Sequence, residues 1–167
     1  RGIPGNDYRR ESMTIAEDMF SIKKRNTELA TYEFRHGVSR VDSYPTTIGV
    51  SVNETCNVHC IFCCVKTKSD TKIDWSHFKR LTPIFPRITE VIFSGEEVIL
   101  HPHIWEMFET LTRQKIHVNF LTNGKALTPE VMEWLVDHGV GHISCSFHGA
   151  TEDTYNSIVR GADFTTI

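Results

Sequence analysis

The sequence predicts a parallel α/β fold, a curved sheet with helices along one side, and three observations predict it. From Thr46 onward a strand, loop, helix rhythm occurs four times, and strands that alternate with helices pair in parallel through right-handed crossovers. One face of every strand is apolar, as a sheet face beneath helices has to be. The opposite face carries small and polar groups, more of them toward the carboxyl ends. That suits a concave surface around a polar ligand, whereas a flat sheet covered on both sides would need two apolar faces.

Taken in order, residues 1–45 are polar and predict a helix from about Tyr8 to Arg35, with Ile15, Met19, Phe20 and Ile22 in an irregular stripe. The strands are Thr47–Asn53, Glu90–Ser94, Ile116–Thr122 and His142–Phe147, each rich in β-branched or aromatic residues. Between them, Asp74 caps a short helix through Phe78 and Leu81, and Ile104, Met107, Phe108 and Leu111 recur at helical spacing after Pro102. Thr128, Pro129 and Glu130 start a helix that Gly139 stops.

The apolar strand face reads Ile48, Val50, Val52; Val91, Phe93; Val118, Phe120; and Ile143, Cys145, Phe147. Its opposite reads Gly49, Ser51, Asn53; Ile92, Ser94, Glu96; Asn119, Leu121, Asn123; and Ser144, Ser146, His148. Parallel α/β folds bind ligands at the carboxyl ends of their strands, which puts the site at Asn53, Glu96, Asn123 and His148.

With 40% hydrophobic and 23% charged residues, 167 residues make one ordinary globular domain. A net charge of −3 without a basic stripe gives no sign of nucleic-acid or anionic-membrane binding. No apolar run approaches the roughly 18 residues that span a bilayer, and the N-terminus lacks a signal peptide's apolar core, so a cytoplasmic location is expected. The first residue is Arg1 and the chain runs out at Phe164 to Ile167 without a polar tail. We therefore expect a helical or extended segment at 1–45 and a core domain at 46–167 truncated on its C-terminal side.

Four of the five cysteines fall between positions 56 and 64, a clustering that suits a metal site better than a disulfide framework. Cys56, Cys60 and Cys63 follow the first strand in a CxxxCxxC spacing. Thiolates bind both iron and zinc, and three ligands on a four-iron cube leave one iron open. The alternative is a structural zinc site completed by Cys64 or His59, although zinc sites usually come as two ligand pairs and no second pair is present. Cys64 reads as a packing residue or spare thiol.

This loop, with Phe62 just before its last cysteine, resembles the signature of radical S-adenosylmethionine (radical SAM) enzymes. Ser94-Gly95-Glu96-Glu97 resembles the family's GGE motif, Thr122-Asn123-Gly124 its TNG, and Ser146-Phe147-His148-Gly149 its SxDG. Ala150 to Phe164, with Tyr155, Arg160 and Gly161, is similar to the segment in members with a SPASM or Twitch extension. Each short motif is weak alone; four in register over Thr47 to Ile167 are strong. The sequence departs from the pattern at Ser94, where the family has glycine, at Glu97, where proline is common, and at His148, which replaces an acid.

The resemblance implies a partial (β/α)6 TIM-like barrel with about four β/α units present. It implies a [4Fe-4S] cluster on Cys56, Cys60 and Cys63 and reductive cleavage of S-adenosylmethionine to a 5′-deoxyadenosyl radical that abstracts hydrogen. By position it gives Ser94, Gly95 and Glu96 the cofactor's amino group, sets Asn123 and Ser146 near its ribose or methionine moiety, pairs Arg160 with its carboxylate and lays Phe62 against the adenine. An electron donor such as flavodoxin or ferredoxin and a peptide, protein or small-molecule substrate are the implied partners. The competing readings are a cofactor-biosynthesis cyclase or glycyl-radical activase of the same superfamily, and a non-catalytic zinc-binding module.

Other residues read as structural. His101, His103 and His117 are surface or capping groups, and His148 is a hydrogen-bonded strand-end residue. Cys145 serves as a small apolar group facing the helices, while Trp75, Trp105 and Trp134 pack helices.

Overall fold

The computed structural model describes residues 7–65 and 69–167, with side chains described from residue 18 and not at 166; Ile15 of the expected stripe lies outside the described side chains. Helix α1 spans Asp7–Arg35, followed by β1 Thr47–Ser51, β2 His59–Cys60, α2 Trp75–Lys79, β3 Glu90–Ser94, α3 Ile104–Thr112, β4 His117–Thr122, α4 Pro129–Asp137, β5 His142–Cys145, α5 Glu152–Ile158 and β6 Val159–Arg160. Strands β1, β3, β4 and β5 form one parallel sheet in that order, with Val50 opposite Phe93, Val91 opposite Val118 and Phe120 opposite Ile143. Strands β2 and β6 pair antiparallel apart from it. No described helix is long and apolar enough to cross a membrane.

The predicted apolar face is the core. Val50, Val52, Val91, Phe93, Val118 and Phe120 are buried against Ile104, Met107, Phe108 and Leu111 of α3 and Leu135 of α4. Burial of side chains this size contributes about 1.5–3 kcal/mol each, which commits the α3 stripe to the sheet. Trp75, Trp105 and Trp134 pack partly buried against the same core, as packing residues should. The opposite face is open, with Ser51, Ile92, Ser94 and Leu121 exposed.

Local chemistry sets the helix ends. The Thr128 hydroxyl accepts the Val131 N–H at the start of α4, and at its end Gly139, at φ +68°, lets the Val140 N–H reach the Leu135 carbonyl, the Schellman pattern. Helix α1 ends the same way at Gly37, with Val38 bonded to Glu33. Lys115, a non-glycine residue at φ +54°, takes this position after α3 while Ile116 bonds to Leu111.

Several expectations need correction. Asp74 precedes α2 but its side chain makes no capping hydrogen bond; it lies 3.5 Å from His77 instead. The first strand stops at Ser51 because β3 ends at Ser94, its ladder partner, and Asn53 bridges Lys72 instead. Cys145 and Phe147 are exposed rather than buried under helices, although the Phe147 ring lies 5.5 Å from that of Tyr155 on α5. Helix α5 joins a second cluster, in which Tyr155 packs with Val58 and Val159 against Cys56, Cys60 and Phe164. His101 is buried, accepting the His103 N–H at Nδ1 and donating from Nε2 to the Ile73 carbonyl; burial lowers its pKa, which favours the neutral ring that this pattern needs.

Candidate functional site

Past the carboxyl ends of the sheet, the loops after β1, β3 and β4 meet. The loop after β1 carries Cys56, Cys60 and Cys63, half-buried and in no disulfide. It is held by the Cys63 N–H on the Cys60 carbonyl, 3.1 Å, and the Ile61 N–H on the Ile158 carbonyl, 2.9 Å. The β2–β6 pairing, Cys60 opposite Val159 and His59 opposite Arg160, straps the loop to the far end of the chain. Cys64 is exposed and so is not a packing residue. Among the described residues no three His, Cys, Asp or Glu side chains stand together as a single metal ion needs.

The motif loops reach the thiols by hydrogen bonds. The Glu96 N–H donates to the Asn53 carbonyl, 3.2 Å, and its half-buried carboxylate lies 3.9 Å from the Cys63 sulfur, which donates to it. Gly95 sits at φ +145°, where an added Cβ would meet the Asn53 side-chain oxygen at 2.7 Å; only glycine closes this turn. The Asn123 amide donates to Asn57 Oδ1 at 2.9 Å and to the Cys56 sulfur at 3.7 Å. Gly124, at φ +85°, lies beneath the Cys145 sulfur, which an added Cβ would meet at 2.9 Å.

Other expected site residues are placed less directly. The Ser94 carbonyl accepts the Val52 N–H at 2.8 Å, so part of its acceptor capacity is already used in the sheet. Ser146 is anchored by its backbone N–H on the Thr122 carbonyl, 2.8 Å. Arg160 is exposed at the rim. Phe62 is exposed and meets the half-buried His148 ring edge-on, centroids 4.8 Å apart, so His148 is engaged with an aromatic ring on the thiol loop.

The residue that sequence reasoning missed is Glu97. It reads there as a turn substitution for proline, yet its side chain is fully buried. One carboxylate oxygen accepts the Thr122 hydroxyl at 2.7 Å and the other the Asn123 N–H at 2.8 Å. Burial pushes its carboxyl up from the ordinary range, while hydrogen bonds from Asn123, Thr122 and Ile99 pull it back. The one available signal was an ionisable residue in place of an apolar one inside a motif.

A family model described as the Radical SAM superfamily matches residues 50–167. The chain is 30% identical over 120 residues to an AdoMet-dependent heme synthase of Methanosarcina barkeri, a match covering 68% of this chain and 34% of that protein. It is 25% identical over 134 residues to the mycofactocin maturase MftC of Mycobacterium ulcerans, covering 78% and 35%. Among solved structures it is similar to Streptococcus suis SuiB bound to the precursor peptide SuiA, with a TM-score of 0.63 at 15% identity over 84% of this chain and 32% of that one. SuiB bound to S-adenosylmethionine matches at 0.59. The likeness to SuiB shows the fold, a four-strand arc of a TIM-like barrel. The chain spans about a third of the length of the curated relatives it matches.

Proposed function

This chain belongs to the radical SAM superfamily, whose cofactors are a [4Fe-4S] cluster and S-adenosylmethionine, and from that premise we propose that it carries the cluster- and cofactor-binding part of an enzyme that abstracts hydrogen from a peptide substrate. The observation that carries this reading is the meeting of three loops on the thiols: Glu96 beside the Cys63 sulfur and Asn123 beside the Cys56 sulfur.

The donor set fits the cluster. Three half-buried cysteines on one loop, none of them in a disulfide, match the thiolate ligation that iron–sulfur cubes take, so Cys56, Cys60 and Cys63 would hold it. When bound, the cluster supplies the electron that cleaves S-adenosylmethionine to methionine and a 5′-deoxyadenosyl radical. The chain's own residues position and shield. Glu96 offers an ammonium acceptor at the edge of the thiol loop, where a carboxylate makes the stronger, charge-assisted bond. The Gly95 carbonyl and the remaining lone pair of Ser94 add acceptors for the same group. Asn123 and Ser146 lie on the methionine or ribose side, Phe62 offers an aromatic face to the adenine, and exposed Arg160 can reach the cofactor carboxylate.

A peptide substrate is favoured because SuiB binds the precursor peptide SuiA and because residues 150–164 resemble those of SPASM and Twitch members. A protein side chain or small metabolite is the wider class, and a flavodoxin or ferredoxin is the electron donor we propose. The 1–45 segment and the 46–167 core remain our proposed division of the chain.

The test is iron, sulfide and zinc content after anaerobic reconstitution, with electron paramagnetic resonance of the reduced protein. About four irons per chain and a spectrum that changes on adding S-adenosylmethionine are expected. One tight zinc without sulfide would overturn the reading in favour of a structural module.

A further inference from the structure

We propose that Glu97 is a positioning residue of this site: its buried carboxylate clamps Thr122 and Asn123 so that the Asn123 amide is held over Cys56 and Asn57. The inference deepens the function proposed above and rests on that reading of the thiol loop.

Every polar group of Glu97 is committed. Its N–H donates to the Thr55 carbonyl at 2.9 Å, its carbonyl accepts the Asn53 amide at 2.8 Å, and its carboxylate takes Thr122 on one oxygen and Asn123 on the other, with the Ile99 N–H as a further, local donor. A single residue after β3 thereby joins the loops after β1 and β4. The bonds continue outward: the Thr122 hydroxyl accepts the Gly124 N–H at 3.1 Å, and the Asn123 side-chain oxygen accepts the Lys125 N–H at 2.9 Å. Backbone and side-chain oxygen of Asn123 are both pinned, so its amide nitrogen is left pointing at Asn57 and the Cys56 sulfur.

A purely structural turn would not need this arrangement. A fully buried carboxylate costs several kcal/mol of desolvation unless hydrogen bonds compensate it, and an apolar side chain would fill the same space without that penalty. What the carboxylate adds is direction. Two bonds from one planar group fix the β4 loop in rotation as well as position, and the fixed group is the one that touches a thiol.

The decisive experiment compares Glu97→Gln, Asn123→Ala and the double variant in the full protein. The carboxamide keeps the shape of the side chain but turns an N–H toward at least one of the groups that donate to the carboxylate. In protein without metal, hydrogen exchange of the segment covering 120–125 should quicken about tenfold in Glu97→Gln, the loss of a charge-assisted bond. In reconstituted protein, Glu97→Gln should keep its iron and weaken S-adenosylmethionine binding about tenfold. In the double variant it should add nothing to the Asn123→Ala loss. Unchanged exchange, or losses that multiply in the double variant, would overturn the proposal.

Should Glu97→Gln fail to fold, Thr122→Val removes one donor and leaves the carboxylate; a roughly threefold change in exchange is expected, and no change counts against the clamp. Zinc in place of iron in the wild type would sink the function proposed above, while exchange in metal-free protein still decides whether Glu97 holds Asn123.

Discussion

The two ends of the sheet solve the same physical problem with opposite results. At the end where the strands begin, α1 buries three polar side chains. Lys23 donates to the Gln114 and Lys115 carbonyls, Asn26 bonds to Tyr44 twice and to the Arg87 carbonyl, and Glu33 accepts the Asp42 and Ser43 N–H groups. These bonds go to backbone, joined at Glu33 by the neighbouring Ser43 side chain, and they stop there. At the carboxyl end, Asn53, Glu97, Thr122 and Asn123 are equally buried, but their chain of bonds runs outward to the Cys56 sulfur. Buried polarity that closes on backbone fastens the fold; buried polarity that ends on a reactive atom aims it.

That contrast can be broken by mutation at either end. The largest effect belongs to the thiols: Cys60→Ala should abolish iron binding while Cys64→Ala keeps nearly all of it, read as iron and sulfide per chain, and equal losses would erase the distinction between ligand and spare thiol. Next, Asn26→Ala leaves three backbone groups without partners and should cost about 2–3 kcal/mol in urea unfolding with unchanged iron content. An equal loss of iron would mean that the two ends are not independent. Glu96→Gln should weaken S-adenosylmethionine binding about tenfold, the difference between a charge-assisted and a neutral bond, with iron retained; loss of iron as well would move Glu96 to the fastening class.

The smallest effect is a slope. Burial pushes the Lys23 ammonium down from 10.5 to about 8, so between those values the folded chain holds fewer protons than the unfolded one and stability rises with pH. In Lys23→Met that rise should vanish from pH-dependent unfolding midpoints, and its persistence would assign the slope to another group.

Much of this was readable from residue order. Period-two alternation found the apolar sheet face and, through its polar opposite, put the candidate site at the strand ends, and Thr128 and Gly139 marked the two ends of α4. Three features were not readable. The pairing of His59 and Cys60 with Val159 and Arg160 involves strands too short to show any period. Glu97 escaped because its partners lie 25 and 26 residues away, and nothing in four letters after a strand says where a carboxylate will point. Cys145 was misplaced because alternation specifies a face without saying whether a helix covers it.

The strap between β2 and β6 also has a consequence for the order in which the molecule is made. Cys60 faces Val159, so the thiol loop cannot be strapped down until nearly all of this chain has been synthesised. At about 5–20 residues per second, the cysteines leave the ribosome on the order of 5–20 s before their strap does. Through that interval they are ordinary exposed thiols, open to oxidants and stray metal ions. Under the function proposed above, cluster loading onto these cysteines would be timed by elongation as well as by iron supply.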